Sequence, residues 1–158
     1  MTLSRRADYV LRAAIFLASC ADEPGFRTLD DVSRRMAIPR TYTPHILGAL
    51  VRAGLAEARA GRGGGYRLTF SPQDISVLDV IEIGEGDIRQ NRCPLRGVPC
   101  HWGTQCAVHP TLSRASDAIR ATLRATTLAE VAREDRALSE AEQGRSPKRS
   151  ASRPRSRC

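Results

Sequence analysis

Apolar residues recur at helical spacing early in the chain: Val10, Ala13, Ala14, Leu17 and Ala18 share one face of a helix expected over residues 3–19. Asp22 to Gly25 supplies the break. Thr28 followed three residues later by Asp31 has the form of a capping box, opening a short helix through Val32 and Met36 that ends near Ile38 and Pro39. A turn at Pro39 and Arg40 leads into a third helix expected over 41–53, with Ile46, Leu47, Leu50 and Val51 as its stripe, Thr41 as its cap and Gly54 as its stop. Pro44 then falls in the first turn, where the helix loses no backbone donor. Residues 55–59 and 66–70 alternate as strands do, and the glycine-rich segment from Ala60 to Gly65 between them reads as a flexible hairpin tip. Three helices followed by such a hairpin is the order of a winged helix-turn-helix.

Past the hairpin a helix is expected over 76–83, apolar on one side through Val77, Val80 and Ile81. Residues 84–109 lose all periodicity, so hydrophobic burial alone does not order them. A long helix then starts at Pro110, with Leu112, Ala115, Ile119 and Leu123 on one face as a candidate dimer seam. Thr127 to Glu130 caps a last, short helix, and the tail past Gly144 is Arg, Ser and Pro and is expected to be disordered. The expected fold class is mainly α with a small β-hairpin wing. It divides into a winged helix-turn-helix over 1–72, a cysteine loop with dimerisation helices over 73–142, and a basic tail over 143–158.

No apolar run approaches the roughly 20 residues that span a bilayer, so a cytoplasmic protein with no membrane partner is expected. The net charge of +8 suits a nucleic-acid partner, and its distribution sharpens the picture. Residues 1–72 hold 11 arginines against 6 acids, residues 73–144 hold 8 against 11, and the last 14 residues hold 6 basic groups and no acid. The basic surface is therefore in the first half and the tail. In a helix-turn-helix the side chains at the head of the second helix reach base edges, which here are Arg40, Thr41, Tyr42, Thr43 and His45. The hairpin adds Arg59, Arg62 and Arg67, with Gly63 and Gly64 letting backbone approach phosphate or the minor groove closely.

Cys93, Cys100 and Cys106 lie within 14 residues in a C-x6-C-x5-C pattern, and His109 follows three positions after the last. Clustered thiols in a cytosolic chain point to metal or redox chemistry, and thiolates with an imidazole suit an iron-sulfur cluster or zinc. The spacing is wider than the tight C-x2-C pairs of zinc knuckles, which puts zinc second. His101 and Trp102 read as packing residues, Cys20 as a small core residue and Cys158 as a free end. No nucleotide-binding glycine motif, catalytic triad or carboxylate pair is present, so an enzyme is not expected. A zinc-stabilised or thiol-disulfide DNA-binding switch stays open as the alternative.

Several runs together resemble one family: Asp8-Tyr9 with Leu11-Arg12-Ala13, Arg52-Ala53-Gly54-Leu55, Gly63-Gly64-Gly65-Tyr66-Arg67-Leu68, Ile75 to Val80, and the cysteine triplet. Over about residues 1–135 the chain resembles the Rrf-type family of bacterial iron-sulfur transcription regulators, the IscR-, NsrR- and RirA-like proteins. The resemblance implies a homodimer on a double-stranded DNA operator, in which the three cysteines hold a cluster near the dimer interface. It implies a fourth ligand in one of two forms: a histidine three positions after the third cysteine, matched by His109, or a first-helix aspartate of the other subunit, matched by Asp8. The histidine form fits a 2Fe-2S centre and is favoured; the aspartate form fits 4Fe-4S. Control by redox state, nitric oxide or iron supply is what the family implies for function, and repression is the expected direction because the chain shows no obvious activation segment. Two departures limit the carry-over: IscR-like members have an acid where this chain has Pro44 and an arginine where it has Ala60. Groove geometry carries over; an operator sequence does not.

Overall fold

The computed structural model describes residues 3–86 and 106–145, with side chains through residue 141. Helix α1 spans Arg5–Ser19, and Ser4 caps it by accepting the Ala7 N–H at 3.1 Å. Val10, Ala13, Ala14, Leu17 and Ala18 are buried along its inner face, the stripe expected from their spacing, and Ala7 is buried with them. Helix α2 (Leu29–Arg35) opens on the Thr28–Asp31 capping box, in which the carboxylate also accepts from the Thr28 N–H.

Helix α3 runs over Thr43–Arg52, shorter than expected, and its cap is Tyr42 and not Thr41. The Pro39 carbonyl explains the shift, because it accepts both the Tyr42 N–H at 2.8 Å and the Thr43 N–H at 3.1 Å and holds those residues in a turn. Pro44 sits within the first turn of α3, where it costs no hydrogen bond. Ile46, Leu47 and Leu50 are buried on the inner side of the helix.

Strands β1 (Ala56–Arg59) and β2 (Gly65–Leu68) form the antiparallel wing, in register Ala56↔Leu68 and Arg59↔Gly65. Arg27 pairs with Tyr66 on the far side of β2 through two backbone hydrogen bonds of 2.8 Å. Gly65 has φ +145° there, and a Cβ on it would lie 2.3 Å from the Arg27 carbonyl oxygen. Glycine is required at this position by close approach as well as by conformation.

Helix α4 (Val77–Glu85) starts on a second capping box, Ser76 with Asp79. It crosses α1 where Gly84 faces Ala7, so tightly that a Cβ on Gly84 would lie 2.4 Å from the Ala7 Cα. Helix α5 spans His109–Ala125, and α6 spans Leu128–Arg145, far longer than the short last helix expected. The α5–α6 junction is tied to the start of α4 by Val77 N–H to Thr126 at 2.9 Å and Leu128 N–H to Ile75 at 2.8 Å. Leu128 and Ala132 of α6 join the same buried cluster as Val10, Leu47 and Val80. One buried cluster thus joins α1 to α3 and the wing to α4 and α6. Among the described residues, no helix is long and apolar enough to cross a membrane. The tail expected to be disordered lies, past residue 145, outside the described residues.

Candidate nucleic-acid interface and thiol site

The head of α3 presents Arg40, Thr41, Tyr42 and His45 at the surface. Thr43 is a correction to the expected set: it is fully buried, and its hydroxyl donates to the Pro39 carbonyl at 3.1 Å. It shapes the turn and has no surface to offer a base. Tyr42 is 46% exposed and makes edge-on ring contacts with Tyr9 of α1 at 6.0 Å and with His45 at 6.1 Å. The front of α1 and the head of α3 therefore share one aromatic contact.

Arg40 is engaged by an acid that sequence reading did not single out. Its Nε donates to Asp30 Oδ1 at 2.6 Å. That hydrogen bond holds the Asp30 carboxyl below its usual range against the opposing effect of desolvation, with lesser Coulombic help from Arg40 and Arg34. The Arg40 guanidinium is raised correspondingly, first by the same bond.

On the wing, Arg59 and Arg62 stand exposed near the tip. Arg67 is held more firmly: it pairs with Glu57 directly across the hairpin, and its guanidinium carbon lies 4.7 Å from the centre of the Phe26 ring. Arg59 approaches the same ring at 5.9 Å. Gly63 has φ +73°, a backbone region that excludes most side chains, whereas Gly64 is required by contact, since a Cβ would lie 2.1 Å from the Arg59 carbonyl oxygen. The absence of a side chain at Gly64 is thus already explained within the hairpin. Glu57 could have been found by counting back from Arg67 across the glycine tip. Phe26 and Asp30 carry no local signal, because their partners come from other elements.

Of the candidate cluster ligands, Cys93 and Cys100 lie outside the described residues, as do His101 and Trp102. Cys106 is a partly exposed free thiol just ahead of α5. His109 is the first residue of α5 and donates its backbone N–H to the Cys106 carbonyl at 3.1 Å, so the two residues are one turn apart. The α5 N-terminus, capped at Val108, has no side-chain cap. Asp8, in the first turn of α1, is ion-paired to Arg12 Nε at 3.0 Å within its own helix. Cys20 is buried at the end of α1, as a core residue should be, but it is disulfide-bonded.

The chain was compared with known proteins. Residues 3–134 match the Rrf2 family model, described as an iron-dependent transcriptional regulator. The HTH-type transcriptional regulator IscR of Aliivibrio salmonicida is 31% identical over 131 residues, covering 83% of this chain and 77% of the relative. Among solved structures, the CymR global cysteine regulator of B. subtilis aligns with TM-score 0.71 and 27% identity over 85% of this chain and 98% of that one. IscR of T. potens aligns with TM-score 0.67 over 94% of this chain and 93% of that one, at 24% identity, which is evidence of shared fold.

Proposed function

Because the chain belongs to the Rrf2 family of transcriptional regulators, which are not enzymes, we propose that its winged helix-turn-helix binds an operator as a homodimer, as a repressor, under the control of an iron-sulfur cluster. Cys93, Cys100 and Cys106 hold that cluster, with His109 in the fourth position. The observation that carries this reading is the one-turn juxtaposition of the free Cys106 thiol and His109 at an uncapped helix N-terminus. A thiolate and an imidazole are a matched pair of ligands for iron. The positive end of the α5 helix dipole favours the negative charge that thiolates bring. Asp8 is the weaker candidate, because its carboxylate already has a cationic partner in Arg12. A cysteine and histidine set fits a 2Fe-2S centre better than 4Fe-4S.

When bound, such a centre supplies a reversible change of charge and ligation that responds to oxidants, nitric oxide or iron supply. The chain's own residues carry the consequence. Cys106 and His109 head α5, and α5 is fastened to α4 by Arg120 Nη1 to Glu82 at 3.2 Å. Helix α4 packs on α1 through Gly84 and Ala7, and Tyr9 of α1 touches Tyr42 at the head of α3. A shift at the α5 N-terminus therefore has a packed route to the recognition helix in each subunit.

Anaerobic purification with iron and sulfide analysis tests the ligand set. Wild-type protein is expected to be coloured and to contain both elements. Cys106→Ser is expected to abolish the cluster, His109→Ala to shift its absorption and shorten its lifetime in air, and Asp8→Ala to leave the spectrum unchanged. Protein lacking iron and sulfide even after reconstitution would overturn the reading.

A second reading has its own observation, the disulfide at Cys20. Under it the regulator answers thiol oxidation directly. Mapping of unreduced peptides separates the two: if a loop cysteine is joined to Cys20 in the DNA-binding form and no metal is present, the thiol reading replaces the cluster.

A further inference from the structure

Asp30 and Arg40 come from the first turn of α2 and from the turn before α3, ten residues apart, and meet at the surface that presents the head of the recognition helix. Arg40 is 75% exposed and Asp30 50%. An exposed ion pair contributes little to stability, so stability is a poor account of an acid placed beside the DNA-reading helix. The geometry offers a better one. Asp30 Oδ1 takes the Nε hydrogen at 2.6 Å and Oδ2 lies 3.5 Å from Nη2, so the carboxylate occupies one edge of the planar fork. The opposite edge, made by Nη1 and the outer hydrogen of Nη2, is left as a pair of parallel donors.

Two partners on DNA match that edge: the oxygens of a phosphate, or O6 and N7 of guanine in the major groove. Asp30 decides between them. A phosphate is an anion that must approach beside a fixed carboxylate and gains little from a guanidinium whose charge is already offset. A guanine edge is uncharged and needs only directed donors, which a held guanidinium supplies with less ordering cost on binding. We infer that Arg40 reads a guanine and that Asp30 is the positioning residue that fixes the guanidinium plane for it, so that the pair determines specificity ahead of α3. This rests on the chain binding operator DNA, which the first step of the test establishes by itself.

That step is selection of a preferred duplex from a random-sequence library by the full-length wild-type protein. Fluorescence anisotropy then follows binding to that duplex, to versions with each guanine replaced, and to a mixed-sequence duplex, across a salt series. Arg40→Ala is expected to weaken the selected duplex about tenfold or more, to change the mixed-sequence duplex less than about twofold, and to abolish the penalty for replacing one particular guanine. Arg40→Lys keeps the charge without the fork and is expected to behave as Arg40→Ala does. Asp30→Asn is expected to weaken the selected duplex about threefold to tenfold while tightening the mixed-sequence one, which a merely structural acid would not do. Thermal melts confirm that the variants, all at exposed positions, keep the fold. The inference is overturned if Arg40→Ala weakens all duplexes equally and lowers the salt slope by about one, the mark of a phosphate contact. It is also overturned if Asp30→Asn tightens the selected and mixed duplexes alike.

Discussion

At the scale of single residues, several positions that look like DNA contacts are fixed by demands inside the protein. Thr43 is the plainest: buried, with its hydroxyl on the Pro39 carbonyl. Thr43→Val preserves its shape and removes that bond, and is expected to cost about 1 kcal/mol of stability in urea denaturation while leaving the affinity of the folded protein for DNA essentially unchanged. Gly64 makes the stronger case, and Gly84, at the crossing of α4 with α1 and away from the DNA-contact candidates, is fixed in the same way. A Cβ would stand 2.1 Å from the Arg59 carbonyl oxygen in one and 2.4 Å from the Ala7 Cα in the other, both backbone atoms that cannot swing aside. Gly84→Ala is expected to lower stability by about 2 kcal/mol or more through forced separation of α1 from α4, read as a fall in the urea midpoint. Sequence spacing placed Thr43 at the head of the recognition helix correctly; it could not tell an exposed threonine from one that turns inward to bond its own turn. Asp30 was invisible for a related reason, since its partner Arg40 is supplied by the helix-turn-helix geometry and not by any local pattern.

At the scale of elements, the boundaries that were legible in sequence are those with local chemistry. Thr28 with Asp31 and Ser76 with Asp79 each satisfy two backbone donors within four residues, and both helices begin where those pairs say. The α6 start has the same device: Glu130 accepts the Thr127 N–H at 2.8 Å, and the Thr127 hydroxyl accepts the Glu130 N–H at 3.2 Å. The Thr127 backbone bond, then its hydroxyl, holds the Glu130 carboxyl below its ordinary range. A lowered carboxylate stabilises the folded state above its unfolded pKa and ceases to do so as pH falls through the folded value. Glu130→Gln is therefore expected to lower stability slightly at neutral pH and to leave it unchanged at low pH, which flattens the acid limb of a stability-against-pH curve. The length of α6 was not legible, because past Ala132 it has no apolar stripe. Its run of Ala, Glu and Arg is helix-forming by propensity alone. Helix α5 is the opposite case. Its apolar stripe was plain in sequence, yet no α5 residue is buried within the chain, and Ile119 is 40% exposed. A second copy of the chain is the expected cover, and Ile119→Glu is expected to weaken self-association at least tenfold in analytical ultracentrifugation without loss of helix.

At the scale of the whole molecule, the fold was readable because one core gathers residues of α1 to α4, the wing and α6, and helical spacing of core residues is the strongest signal a sequence carries. The candidate thiol ligands were readable only as residue types in order, since no periodic pattern says where Cys93 and Cys100, which lie outside the described residues, stand relative to Cys106. What links the two halves is the packed series from α5 through α4 and α1 to the head of α3, and the central claim is that occupancy of the thiol site is felt at the far end of it. A difference of a few kcal/mol between two arrangements suffices to change operator occupancy strongly. The direct measurement is operator affinity of anaerobically prepared holo-protein and of the same protein stripped of iron, at one fixed salt concentration. The account predicts at least a tenfold difference between the two forms. Equal affinities, with both forms folded and dimeric, would contradict it.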